Sequence, residues 1–149
     1  FQAAIGDPAH TTTWEAVALL VALRAWPGQG RSRVHVRSDS LSALRSLVHL
    51  SGRSTALGVV AREFALDSVL GLYTLDVAVH IPGITNGVAD SLSRMWAPDA
   101  HAFPDSLVGI PRYTVPLLDS HFWKVSSPTQ RGGGVRARRR AQNRLAGSA

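Results

Sequence analysis

The feature that most constrains this chain is a pair of short β-prone segments set among longer helical patterns. Val34, His35, Val36 and Arg37 alternate apolar with polar, and residues 73–80 carry Leu75, Val77 and Val79 on one side against Thr74, Asp76 and Ala78 on the other. Period-two patterning of this kind marks strands with one buried face. Ahead of the first strand, Thr11, Thr12 and Thr13 lead into an Ala- and Leu-rich run from Trp14 to Trp26 that Pro27 and Gly28 stop, which predicts a helix. Thr12 with Glu15 three residues on fits a capping box. Apolar residues surround this helix, so burial on more than one side is expected. Residues 28–33 read as a loop, and Ser38, Asp39 and Ser40 end the first strand. Leu41, Leu44, Leu47 and Val48 then recur at helical spacing as far as Ser51 and Gly52, and a longer helical pattern over residues 54–72 carries Val59, Val60, Phe64, Leu66 and Val69. Pro82 and Gly83 break the second strand, and residues 87–96 form a last short helix with Asn86 as its cap.

The order helix, strand, helix, helix, strand, helix predicts an α/β fold with helices packed against a sheet. Two strands make too small a sheet, so either residues 1–5 add a third or more sheet lies upstream. The start at Phe1, without an initiator Met or a charged segment leading into an apolar run, reads as an internal cut. A length of 149 residues suits one core, since single domains run to roughly 100–200 residues. No apolar run approaches the roughly 18 residues that a membrane-spanning helix needs, so no membrane partner is expected. The chain has no cysteine; any metal must therefore sit on carboxylates, histidines or main-chain oxygens.

The net charge of +6 is unevenly placed. Residues 131–149 hold Arg131, Arg136, Arg138, Arg139, Arg140 and Arg144 and no acid, whereas residues 1–130 hold ten basic and ten acidic side chains. So Gly- and Arg-rich a segment buries too little apolar surface to offset its ordering entropy. It is expected to be a disordered tail, either merely solvated or touching nucleic-acid phosphates through Arg136, Arg138, Arg139 and Arg140. Residues 97–130, with prolines at 98, 104, 111, 116 and 128, read as a connector that docks Phe103, Tyr113 and Trp123. No internal repeat is evident.

Three acids stand out by position: Glu15 in the first turn of the first helix, Asp39 at the exit of a strand, and Asp90 near the start of the last helix. Each has a structural explanation, as capping-box partner, N-cap and favourable helix-start charge respectively. Acids at strand ends and helix starts that converge at one end of a sheet also supply the hard oxygen ligands that Mg²⁺ requires.

The segment from His80 through Pro82, Gly83 and Asn86 to Ala89-Asp90 and Leu92-Ser93-Arg94 resembles the end of the ribonuclease H domain in gypsy-like and DIRS-like retrotransposon reverse transcriptases. There a strand ends at a His, and a Pro-Gly loop, an Asn, and Ala-Asp with Leu-Ser-Arg follow. His80 precedes Asp90 by ten residues and Asn86 precedes it by four, as in that family. Val36 to Leu44, with Asp39, resembles the strand-to-helix aspartate motif, and His10 to Ala18, with Glu15, resembles the helix of the catalytic glutamate. The resemblance covers residues 1–96 and implies a partial ribonuclease H domain there, followed by the connector and the basic tail.

What it implies is a ribonuclease H-like mixed sheet flanked by helices, without its opening strands. The implied activity is hydrolysis of the RNA strand of RNA/DNA hybrids with two Mg²⁺ or Mn²⁺ ions. Glu15, Asp39 and Asp90 would be metal ligands, with Asp90 near the attacking water, and His80 would assist proton movement or product release. The hybrid would be gripped through phosphates and 2′-hydroxyls. Asn86 is expected as a helix cap first and a weak nucleic-acid contact second. The implied protein partner is an upstream reverse transcriptase domain of the same polyprotein. That family uses four carboxylates, the first on the opening strand. Only fourteen residues precede Glu15, and Asp7 falls in the approach to its helix; the first carboxylate is therefore expected to be missing and the chain inactive alone. The alternatives are a catalytically dead nucleic-acid-binding remnant and a structural α/β domain whose acids are all caps.

Overall fold

The computed structural model describes residues 8–26, 32–95, 101–112, 114, 115 and 122–124. Its elements are α1 (Thr11–Ala25), β1 (Ser32–Ser38), α2 (Leu41–His49), α3 (Thr55–Val69), β2 (Tyr73–His80) and α4 (Gly87–Ser93), with 3-10 turns at Pro8–His10, Gly83–Thr85 and Asp105–Leu107. The order of helices and strands is the one the sequence patterning predicts. β1 and β2 pair in parallel from Ser32 opposite Tyr73 to Ser38 opposite His80. Parallel neighbours need a long crossover, and α2 and α3 supply it. The chain is thus α/β, with a two-stranded parallel sheet among the described residues. The proposed strand at residues 1–5 lies outside them, as do Trp96, Tyr113 and the arginine tail. No described helix is long and apolar enough to cross a membrane.

α1 packs on α2 and α3. It buries Thr13, Ala16, Leu20 and Leu23, spaced three and four residues apart so that they share one face. Its flanks are half-buried, and only Thr11 and Ala18 within it are exposed, which agrees with an apolar surround. The helix starts earlier than expected. Pro8, whose fixed φ suits a helical first turn, opens a 3-10 turn that runs into α1, and the cap position is His10, with no side-chain cap bond. Thr12 and Glu15 therefore lie inside the helix, no capping box forms, and Glu15 falls in the second turn. The other end of the chain's helical content is also shorter than predicted: α4 stops at Ser93, where Arg94 N–H bonds Asp90 O at 3.1 Å.

The faces of β2 differ from simple alternation. Register shifts between Val34 and His35, so Val34 faces Leu75 while His35 faces Val77, and Asp76 is left unpaired as a bulge. A bulge inverts the side-chain alternation beyond it. Tyr73 and Leu75 face the core before the bulge and Ala78 after it, while Val77 and Val79 are exposed. On the outer face Asp76 accepts hydrogen bonds from Arg33 and pairs with His35 at 2.9 Å.

The core also contains charge. On α3 the buried positions are Leu57, Val60, Ala61, Glu63, Phe64 and Asp67, whereas Val69, part of the predicted apolar pattern, is exposed. Arg24 of α1 reaches across to bond Asp67 Oδ2 at 2.8 Å and Glu63 Oε2 at 2.6 Å. Its side chain is 6% exposed, against 1% for Glu63 and 0% for Asp67. From the connector, Lys124 donates its Nζ to Asp67 and its backbone N–H to Glu63, and Trp123 packs against the core. Residues 122–124 are therefore anchored on the α1–α3 pair, as expected for Trp123. Phe103 instead lies beneath the Arg112 guanidinium, 4.7 Å from its ring centroid.

Candidate functional site at the carboxyl ends of the strands

β1 delivers the chain into α2 through Ser38, Asp39 and Ser40. Ser40 is the helix cap: its Oγ accepts from Ala43 N–H at 3.2 Å, and its own N–H bonds Ser38 Oγ at 3.1 Å. The sequence allowed Asp39 as the cap. The structure corrects this, because the residue directly before the first helical position is Ser40. Asp39 is left exposed, with its carboxylate outside the helix start.

Three residues from the end of β2 and the following loop gather on Asp39. His80, the last residue of β2, meets the Asp39 main-chain oxygen through Nε2 at 3.0 Å. A carbonyl only accepts, so Nε2 carries the proton in this contact. Beside it Ile81 N–H bonds Ser38 O at 3.0 Å, tying the two strand exits together. Asn86 donates Nδ2–H to Asp39 Oδ1 at 3.0 Å. Gly83 lies against the other carboxylate oxygen, where a Cβ would come within 3.5 Å of Oδ2. Asn86 occupies the cap position of α4, as the sequence predicts, but without a side-chain cap bond; its amide nitrogen donates to Asp39.

Asp90 sits in the first turn of α4, as predicted, its N–H bonded to Asn86 O at 3.0 Å. Its Oδ1 accepts from Arg94 Nε at 2.9 Å. Asn86 is thus bonded to Asp39 through its side chain and to Asp90 through the main chain alone. Glu15 is half-buried on α1, and no hydrogen bond or ion pair links it to Asp39, His80, Asn86 or Asp90.

In open α/β sheets the crevice beyond the carboxyl ends of parallel strands is the usual ligand site, and Asp39 and His80 occupy that position on adjacent strands. His80 Nδ1 has no partner among the described residues. Asp39 Oδ2 is the carboxylate oxygen that no hydrogen bond from the described residues occupies. For a metal the fit is incomplete: among the described residues no three His, Cys, Asp or Glu side chains stand together as an ion-holding group. A hard cation such as Mg²⁺ needs more oxygen ligands than Asp39 alone provides. Arg136, Arg138, Arg139 and Arg140, the tail candidates for nucleic-acid contact, lie outside the described residues.

Sequence reasoning named Asp39, His80, Asn86 and Asp90 but missed that Ser38 and Ser40 release Asp39 from capping. The signal was Ser40 itself, a strong N-cap residue immediately before Leu41. Comparison of the chain with protein-family models, with curated proteins and with solved structures returns no match.

Proposed function

We propose that this chain belongs to a ribonuclease H module of a retroelement reverse transcriptase, acts on RNA/DNA hybrids, and by itself binds without cutting. The observation that carries the reading is the set of Asp39, His80 and Asn86, tied together at the carboxyl ends of two parallel strands. A capping role would have explained Asp39 without any ligand, and Ser40 has taken that role. In the intact module Mg²⁺ or Mn²⁺ would supply the attacking hydroxide and stabilise the leaving oxygen. Asp39 and Asp90 are the candidates to face such ions, with Glu15 as the third. The described carboxylates fall short of that ligand set, so no hydrolytic step follows from them alone. What these residues do here is orient: His80 holds the Asp39 carbonyl, Ile81 holds that of Ser38, and Asn86 fixes the Asp39 carboxylate.

A second reading, a catalytically dead nucleic-acid-binding remnant, is favoured by the commitment of Asp39 Oδ1 to Asn86 and of Asp90 to Arg94. Competition binding tests what the two share and where they part. The first reading expects an RNA/DNA hybrid to outcompete DNA duplex of the same sequence, and Asp39→Asn to alter hybrid binding. Equal affinity for hybrid and DNA duplex, unchanged by Asp39→Asn, would remove it and leave the remnant.

A further inference from the structure

A second constellation lies at the far end of α2. Arg45 and His49 are four residues apart on that helix, and Arg53 follows in the turn leading to the Ser54 cap of α3. With Ser42, Ser46 and Ser51 they line a pocket of about 190 Å³. Between Asp39 and Glu63 the sequence contains no acid. None of Arg45, His49 and Arg53 has a hydrogen bond or ion pair among the described residues.

The turn that presents Arg53 is held in one shape. Leu50 takes a left-handed conformation, φ 52°, uncommon for a residue with a Cβ. Buried Ser46 donates its hydroxyl to Ser51 O at 2.8 Å. Gly52 lies flush on the first turns of α3, where a Cβ would fall 2.5 Å from both Gly58 N and Leu57 C. No side chain fits there. These constraints set Arg53 in one pocket lining with Arg45 and His49, a lining that contains no acid. Like charges held together repel, and an anion relieves that repulsion. Arginine forks match the oxygens of a phosphate, and the Ser42 and Ser51 hydroxyls add donors, that of Ser46 being committed to Ser51 O. The amino end of α3 borders the pocket through Leu57 and contributes the same sign.

We propose that this pocket binds a backbone phosphate of the nucleic acid, an inference that rests on the hybrid-binding reading of the Asp39 site for its strand. Arg45 and His49 follow Asp39 by six and ten residues. At about 1.5 Å per helical residue this is roughly 9–15 Å, and with one phosphate per strand every ~3.4 Å of duplex axis the pocket holds a phosphate about three to four base steps from Asp39.

The test uses the whole chain, a short RNA/DNA hybrid, the matching DNA duplex and inorganic phosphate. The variants are Arg45→Gln/Arg53→Gln and, as control, Arg62→Gln, an exposed arginine of the same acid-free stretch that does not line the pocket. The pocket variant is expected to weaken binding and to flatten the slope of log K against log salt by roughly one, about 0.9 per lost phosphate contact, with less change in the control. Matching melting curves establish that the variants fold. A slope loss on hybrid and DNA duplex alike would uphold the phosphate pocket even if the hybrid preference fails. Equal slopes for both variants would overturn the proposal. So would saturable amide shifts at Ser51 and Arg53 on adding inorganic phosphate with no change in nucleic-acid slope, because the pocket would then serve a free anion.

Discussion

Removing Arg24 is expected to cost this chain a large part of its stability. Arg24 is the cation that faces both buried acids of α3, with bonds of 2.8 Å to Asp67 and 2.6 Å to Glu63. Burial alone would lower its pKa, but the hydrogen bonds and charges of Asp67 and Glu63 outweigh it, so the net shift is upward. Arg24→Met keeps most of the apolar stem and deletes the charge. Glu63 and Asp67 would then share Lys124, whose side chain is 25% exposed. Breaking a buried pair by removing one partner costs about 3–5 kcal/mol, against a total of roughly 5–15 kcal/mol for a typical domain. Urea denaturation followed by circular dichroism reads this loss as a lower midpoint at unchanged slope. Replacing Glu63 and Asp67 as well, with Met and Leu, should recover most of it, because an apolar replacement of a whole buried cluster is often neutral. A loss below about 1 kcal/mol for Arg24→Met, the range of exposed ion pairs, would refute the claim that this cluster holds α1 on α3.

Truncation after residue 96 should lower the denaturation midpoint, because it removes Lys124 from Asp67 and Trp123 from the core; an unchanged midpoint would mean that the connector adds nothing. The Tyr73 hydroxyl is buried without a hydrogen-bond partner among the described residues, so Tyr73→Phe should be neutral or stabilising by up to about 1–3 kcal/mol, and a clear loss in a melting experiment would show that the hydroxyl has a partner. Burial also pushes the Tyr73 pKa up; the native state keeps a proton that the unfolded chain releases, so stability should fall as pH rises above about 10, less so in Tyr73→Phe. The Arg33 and His35 hydrogen bonds hold the Asp76 carboxyl below its ordinary value of 3.8. Its contribution is present above that value and lost as pH falls through the lower native one, and in a carboxyl NMR titration Arg33→Gln should raise its midpoint.

Element order was legible because the two β-prone runs are bounded by Ser-rich or Pro-Gly breaks and the helices by Pro, Gly and Ser. The faces of β2 were not. Strict alternation put Val77 and Val79 inward, but one extra residue at Asp76 inverts the pattern, and the cue lies across the sheet in Arg33 and His35. The burial of Glu63 and Asp67 was equally hidden, since an acid on a helix face reads as solvated until a cation 39 or 43 residues away is seen to reach it. At the candidate site the motif from His80 to Asp90 pointed to the right loop, whereas the task of Asn86 depended on Ser40 relieving Asp39 of the cap. The acid-free stretch between Asp39 and Glu63 was present in the sequence, but only the left-handed turn at Leu50 and the close approach of Gly52 make its cations share a pocket.

The central claim, that Asp39 belongs to a hybrid-directed nuclease site, is tested most directly by following a labelled RNA/DNA hybrid in Mg²⁺ and in Mn²⁺. The chain would be compared with a version in which the opening strands of a ribonuclease H domain are fused ahead of Phe1, each beside its Asp39→Asn and Asp90→Asn variants. The account predicts binding without cleavage by the chain, metal-dependent cleavage of the RNA strand by the extended version, and loss of that cleavage in both variants. A folded extended version that binds hybrid and never cuts, or cleavage by the chain that survives Asp39→Asn, would contradict it.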